Sequence, residues 1–361
     1  MNKKNGGNVP ICIDERVKYV PTKCGNCMEC RKAKAREWRV RLLEDLKEHK
    51  NGIMITLTFS NESIRELATD KLVKGLTGYT KDNKIAKLAL RRWLERWRQR
   101  RGKDGKSLRH WLVTELGSGE TEHLHLHGIV WTNEGIEEIR KRWKYGNVWH
   151  GTWVNEQTIN YSTKYVYKID EKHKNYKSIV LTSDGIGKNY LNRTDKDKNT
   201  YKENKTREHY KTSTGHKIAM PIYWRNKIYN EEEREKLWIE KLDKKLRWVD
   251  GQKIDISNGE EEYWKALKEA QKKNKKLGYG DDNKDWDAIK YENALRQLKI
   301  NERIKKGYIR GNSDTKTKVQ NNSNTDKDSK GKAKINIDQH KESKYPTGGD
   351  SIKWGTSKEW E

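Results

Sequence analysis

The chain has 361 residues, and its 79 lysines and arginines outnumber 53 acidic residues to give a formal charge of +26. Such a surplus repels itself unless a polyanion is near, and nucleic acid is the commonest one. No apolar run of spanning length, signal peptide or bulky-faced basic amphipathic helix argues for a membrane instead. Hydrophobic residues make up only 32%, so part of the chain is expected to stay outside any core.

Residues 1–30 are polar and hold all four cysteines, Cys12, Cys24, Cys27 and Cys30. Without a secretory signal, a reducing cytosol is expected rather than a disulfide framework. From Arg31, "RKAKAREWRVRLLEDLKEHK" predicts a basic amphipathic helix, with Trp38, Leu42 and Leu46 four residues apart. "GIMITLTFS" (52–60) predicts a buried strand, and "KIAKLALRRWLERWRQRRG" a second helix ending at Gly102. "RHWLVTEL", the turn "GSGETE" and "HLHLHGIVW" read as a hairpin. A helix over "GIEEIRKRWKYG", a short strand over "VWHGTWVN" and a helix over "NYSTKYVYKIDEK" follow. Residues 172–230 are mixed. "EEEREKLWIEKLDKKLRWV" and "EEEYWKALKEAQKKNKK" predict charged accessory helices, and the almost apolar-free text after Gly311 predicts a disordered tail. The expected fold is α+β, an antiparallel sheet with packed helices. Its expected divisions are 1–50, 51–230, 231–310 and 311–361, with no internal repeat.

Two short stretches carry chemistry. In "EHLHLHG", His123, His125 and His127 alternate along a strand and so share one face. The stripe suits either a solvent-exposed face or a metal site, since neutral imidazoles bind divalent cations. In "YSTKYVYK", Tyr161 and Tyr165 lie one helical turn apart, about 5–6 Å between Cβ atoms. Lys164 and Lys168 repeat that step on an adjoining face. Tyrosines so spaced commonly just pack. In a basic protein, beside phosphate-holding lysines, they also suit nucleophilic attack on a phosphodiester.

His125-Leu126-His127 resembles the histidine–hydrophobic–histidine ("HUH") motif of rolling-circle replication initiators. Tyr161-x3-Tyr165 with Lys164 and Lys168 resembles the two-tyrosine class of that superfamily. The most similar proteins are the replication initiators of small single-stranded DNA phages, the microviruses of gokushovirus type. "ITLTFS", "TELGSGETEHLHLHGIVW", "CGNCMECRKAKAREWRVR" and "GIGKNY" resemble segments of that family in the same order, over roughly residues 20–230. The resemblance implies a nicking domain over 51–230 in which Tyr161 and Tyr165 attack, aided by Lys164 and Lys168. It implies a divalent cation, Mg²⁺ or Mn²⁺, on His125 and His127, with Glu115 as a third ligand. His123 stands where the family has Arg and is not expected to ligate. Leu116 departs from the family's usual aromatic. Origin DNA, a host helicase and a host polymerase are the implied partners, in the bacterial cytoplasm.

The cysteines leave three readings open. Cys24, Cys27 and Cys30 need Cys12 or a histidine to complete a tetrahedral zinc site. Their C-x2-C-x2-C spacing also suits an iron–sulfur cluster, though without the usual trailing Cys-Pro. Thiols packed at a helix entrance are the third reading. "DGIGK" (184–188) lacks Walker spacing, and Asn189 stands where Ser or Thr would bind magnesium, so ATP is not expected there. Lys188 remains a candidate contact to backbone phosphate. The rival functions are a non-catalytic nucleic-acid-binding protein, a metal-dependent hydrolytic nuclease, and a related relaxase or transposase.

Overall fold

Alternation of apolar and polar residues builds a sheet in which each face has a different task. The computed structural model describes residues 12–19, 23–100, 107–117, 122–169, 172–173, 175–212, 215–279 and 288–311. In chain order these give α1 (Met28–Glu48), β1 (Gly52–Thr58), α2 (Asn61–Ala68), α3 (Gly78–Arg100), β2 (Arg109–Leu116), β3 (Leu124–Trp131), α4 (Ile136–Arg142), β4 (Val148–Trp153) and α5 (Glu156–Lys164). There follow β5 (Val180–Thr182), β6 (His209–Lys211), β7 (Lys217–Ala219), α6 (Ile222–Ile228), α7 (Glu231–Asp243), β8 (Leu246–Val249), β9 (Gln252–Asp255), α8 (Glu261–Lys276) and α9 (Ala288–Gly311). The fold is α+β, as expected. The expected helix stop at Gly102, most of the "GSGETE" turn and the expected tail beyond Gly311 lie outside the described residues.

The main sheet has the order β4-β1-β3-β2-β5, and its pairings are antiparallel. One face carries Ile55, Leu57, Leu112, Leu124, Leu126 and Val130, which pack against Ala86, Leu90, Trp93 and Trp97 of α3 and Ile139 of α4. The other carries Trp111, Val113, Ile129 and Trp131, covered by Ala35 and Leu42 of α1 and Ile159 of α5. Trp93, Trp97 and Trp111 have no exposed surface. Each fully buried indole stabilises the fold by at most about 4–6 kcal/mol from area alone.

Among the described residues, those from Asp14 to Lys284 form one compact unit. Cys12 and α9 belong to a second, in which the Tyr291 hydroxyl donates to Cys12 Sγ at 3.4 Å. Within the first unit, α1 crosses the interior with two buried carboxylates. Glu44 accepts from Arg193 Nη1 at 2.9 Å and from the Tyr210 hydroxyl. Asp45 accepts from Arg109 Nε at 3.2 Å and from the Gly187 backbone at 2.9 Å. The "DGIGK" glycines thus serve packing. Gly187, at φ +70°, passes so close to Arg41 that a Cβ would sit 2.7 Å from its carbonyl oxygen.

Two expected helices differ. The helix read over residues 160–172 begins earlier and ends at Lys164, because Asn155 and Thr158 form a reciprocal cap at its start. Residues 165–167 then turn out of the helix. The helix read over 231–249 stops at Asp243, and Leu246–Val249 pairs with Gln252–Asp255. The two turn residues, Asp250 and Gly251, both have positive φ, the type I′ geometry that Asp-Gly favours.

Candidate active site

The register of β1, β3 and β2 lines up rows of side chains across the covered face. Thr58, His125 and Glu115 oppose one another in one row. Thr56, His127 and Val113 form the next, which Trp149 of β4 extends to the sheet edge. Directly opposed residues point the same way, so all seven share the α1/α5 face.

His127 is held on three sides. Its Nε2 lies 2.8 Å from Glu115 Oε2, its Nδ1 lies 3.0 Å from Thr56 Oγ1, and its ring stacks parallel on Tyr165 with centroids 4.5 Å apart. With Nε2 facing a carboxylate, a neutral ring carries its proton there and Nδ1 accepts from the Thr56 hydroxyl. The other Glu115 oxygen accepts from Lys168 Nζ at 2.6 Å. Burial alone would raise the Glu115 pKa, but hydrogen bonds from His127 and Lys168 outweigh it and hold the carboxyl below its ordinary value. His125 is pushed down, first by burial and then by neighbouring His127, which favours the neutral, ligating form. Its ring centroid is 5.9 Å from that of His127.

Tyr161 sits in the last turn of α5 and Tyr165 caps the helix, so the expected one-turn spacing survives the helix end. The Tyr165 hydroxyl donates to the Tyr161 hydroxyl at 2.8 Å. Tyr161 is 49% exposed, whereas Tyr165 is partly buried against His127. Burial, and then its hydrogen bond to Tyr161, push the Tyr165 pKa well above the usual phenol range. Lys168 follows the helix, with Nζ 5.7 Å from the centre of the Tyr165 ring.

A groove of about 330 Å³ runs beside the tyrosines between α1 and α5, lined by Lys32, Arg36, Arg39, Asn160, Lys164 and Tyr167. Asn160 Oδ1 is buried there without a hydrogen-bond partner.

The structure therefore brings Glu115, His125, His127, Tyr161, Tyr165 and Lys168 together and places Lys164 on the adjoining groove. His123 lies one residue outside β3. Cys24, Cys27 and Cys30 cluster at the start of α1, away from this row. Sequence reasoning missed Thr56, Trp149 and the α1 side of the groove. Thr56 was findable, since it alternates with apolar residues in "ITLT".

A half-covered antiparallel sheet carrying a His–Glu–Tyr cluster, with cations beside it, defines an α+β protein built to handle a phosphorylated polymer. Residues 52–170 match a family model described as Replication-associated protein ORF2. The match starts at the first residue of β1 and takes in every histidine and tyrosine just described, and it supports a role in replication initiation on DNA. No curated protein and no solved structure matches the chain. Among the described residues, no helix is long and apolar enough to cross a membrane.

Proposed function

We propose that this protein is an endonuclease and strand-transferase that starts rolling-circle replication of a small single-stranded DNA phage genome. The observation that carries this reading is the contact chain Tyr161–Tyr165–His127–Glu115–Lys168, which sets a phenol oxygen beside groups suited to a phosphodiester. Tyr161 is the first nucleophile: it is exposed, and its oxygen already accepts a proton donor, which favours the phenolate. Its oxygen bonds to phosphorus, the bond to the 3′ oxygen breaks, and that oxygen takes up a proton from solvent. The Tyr161 proton goes to water. The product is a 5′-phosphotyrosine and a free 3′ hydroxyl that a host polymerase extends behind a host helicase. Tyr165 remains for the second cut. Lys164 and Lys168 hold non-bridging oxygens.

The donors fit a divalent cation of the Mg²⁺ or Mn²⁺ type. His127, His125 and Glu115 offer nitrogen and oxygen ligands on adjoining strands, although their ligand atoms do not all lie within 4.8 Å of one another. A bound ion would stabilise charge on the phosphate oxygens during attack. To offer its Nε2 lone pair, His127 moves its proton to Nδ1, and the Thr56 hydroxyl accepts as readily as it donates. The basic groove and Trp149, 65% exposed on the same face, suit single-stranded DNA, by charge and by base stacking respectively.

The test is a 3′-labelled single-stranded origin fragment incubated with protein and Mg²⁺ or Mn²⁺, then denatured. A labelled protein adduct is expected. Tyr161→Phe should slow its formation more than Tyr165→Phe, and the double variant should form none. His125→Ala and His127→Ala should lose nicking while keeping most DNA affinity. Cleavage without an adduct would make water the nucleophile, and binding without cleavage would leave a non-catalytic protein; either overturns the proposal.

A further inference from the structure

The chain enters α1 through a tight loop that nothing in the nicking chemistry uses. Cys24, Cys27 and Cys30 bring their sulfurs within 4.8 Å of one another, with Cys24 Sγ and Cys30 Sγ 3.9 Å apart. Among the described residues no other set of three His, Cys, Asp or Glu side chains converges so closely. Sequence alone left zinc, an iron–sulfur cluster and packed thiols as alternatives, and the distances separate them. A tetrahedral ion with ligands at about 2.3 Å sets its thiolates about 3.8 Å apart. A cluster, whose cysteines bind separate irons, spreads its sulfurs further than one ion does. A disulfide needs about 2.05 Å.

The backbone is also arranged for thiolates. Cys24 Sγ accepts from the backbone N–H groups of Asn26 and Cys27 at 3.4 and 3.3 Å. Cys27 Sγ accepts from the Cys30 N–H at 3.3 Å and so caps α1. Gly25, at φ +80°, supplies the turn that folds Cys24 back onto the helix start. Arg31 braces the loop from within, donating to the Asn26 carbonyl at 3.1 Å and to its side-chain oxygen at 2.9 Å. Packed hydrophobic thiols require none of these donors.

We infer that Cys24, Cys27 and Cys30 hold a single zinc-class ion, thiophilic and tetrahedral, with an exchangeable fourth position. Its place in the fold gives it a structural role. Met28, between two of the ligands, donates its backbone N–H to Asn274 Oδ1 of α8 at 2.9 Å. The ion therefore fixes the start of α1 where it meets α8, while further along α1 packs against the tyrosine helix.

The experiment uses the full chain, purified under reducing conditions without chelator, with metals counted by plasma mass spectrometry. About one zinc per chain is expected. Replacing it with Co²⁺ should give the intense visible bands of a tetrahedral thiolate site. Cys24→Ser and Cys27→Ser should each cut bound metal at least tenfold. Serine caps helices well, so Cys27→Ser keeps the α1 cap and a circular-dichroism spectrum like that of the parent. Three thiols that react freely with a thiol reagent in the presence of added zinc would overturn the inference. Iron with acid-labile sulfide, or a Cys24–Cys30 disulfide in the reduced preparation, would do so as well. None of these readouts depends on nicking.

Discussion

Gly128 follows His127 directly and faces Leu112 on β2 and Ile55 on β1. A Cβ there would lie 2.0 Å from the Trp111 carbonyl oxygen and 2.8 Å from Leu112 Cα. Both are backbone atoms, so no rotamer change relieves the clash. An ordinary carbon–oxygen approach is about 3.3 Å, so Gly128→Ala must part β2 and β3 by roughly 1.3 Å. Ladder bonds of about 2.9 Å are broken by that movement. Losing two or three of them, at about 1 kcal/mol each, predicts a destabilisation of about 3 kcal/mol and a fall in Tm of about 6–12 °C. The same displacement shifts His125 and His127 against Glu115, so nicking should fall with it. Thermal unfolding followed by circular dichroism measures the effect. Gly151→Ala on β4 is the control: its Cβ would meet Met54 Cβ at an ordinary 3.5 Å, and its Tm should stay within about 2 °C of the parent. If Gly128→Ala melts like Gly151→Ala, the close backbone approach behind the histidine register is wrong.

Trp149→Ala should weaken single-stranded DNA binding about 5- to 150-fold, the 1–3 kcal/mol of one stacked base, with an unchanged salt dependence. An unaltered Kd in a fluorescence titration would remove β4 from the DNA path. Replacing Lys32, Arg36 and Arg39 by Gln should instead flatten the slope of log K against log salt by about 2, or 0.7 per lost phosphate contact. No change in slope would show that the groove meets no backbone. Because the folded Glu115 pKa is depressed, its pairing stabilises the protein above the ordinary carboxylate range and loses that effect as pH falls through the depressed value. The stability difference between the parent and Glu115→Gln in urea should therefore be largest near neutrality and vanish in acid. A difference that grows in acid would contradict the Glu115–His127–Lys168 geometry.

The strands and the main helices were legible because their periodicities are strong. "HLHLHGIVW" alternates cleanly, and "AKLALRRWLERW" repeats at helical spacing. What periodicity could not convey was where local caps cut the pattern. The Asn155 cap moves the tyrosine helix forward, and Asp250-Gly251 turns an apparent helix into a hairpin. The short helix α2 was overlooked, although Ser60 caps it by accepting from the Ser63 N–H. At the site, residue types and spacing pointed to His125, His127, Tyr161 and Tyr165. The parallel stacking of Tyr165 on His127 was invisible, since it depends on α5 packing across the sheet. So was the Thr56 contact, which exists only once β1 pairs with β3.

The tyrosines stand at the C-terminal end of α5, with Tyr161 in its last turn and Tyr165 as its cap. A helix presents partial negative charge there, and an anion at that end is disfavoured by about 0.3–1 kcal/mol. A phosphate drawn to Tyr161 thus approaches the unfavourable pole of the macrodipole, the opposite of the usual phosphate-binding helix. Lys164, in the last turn, and Lys168, just beyond it, supply the positive charge that this pole lacks. In the proposed reaction, the covalent phosphotyrosine then rests on two mobile ammonium groups rather than in a fixed cradle of backbone amides. A phosphate held that lightly is not trapped on its tyrosine, and the strand can be passed on and resealed.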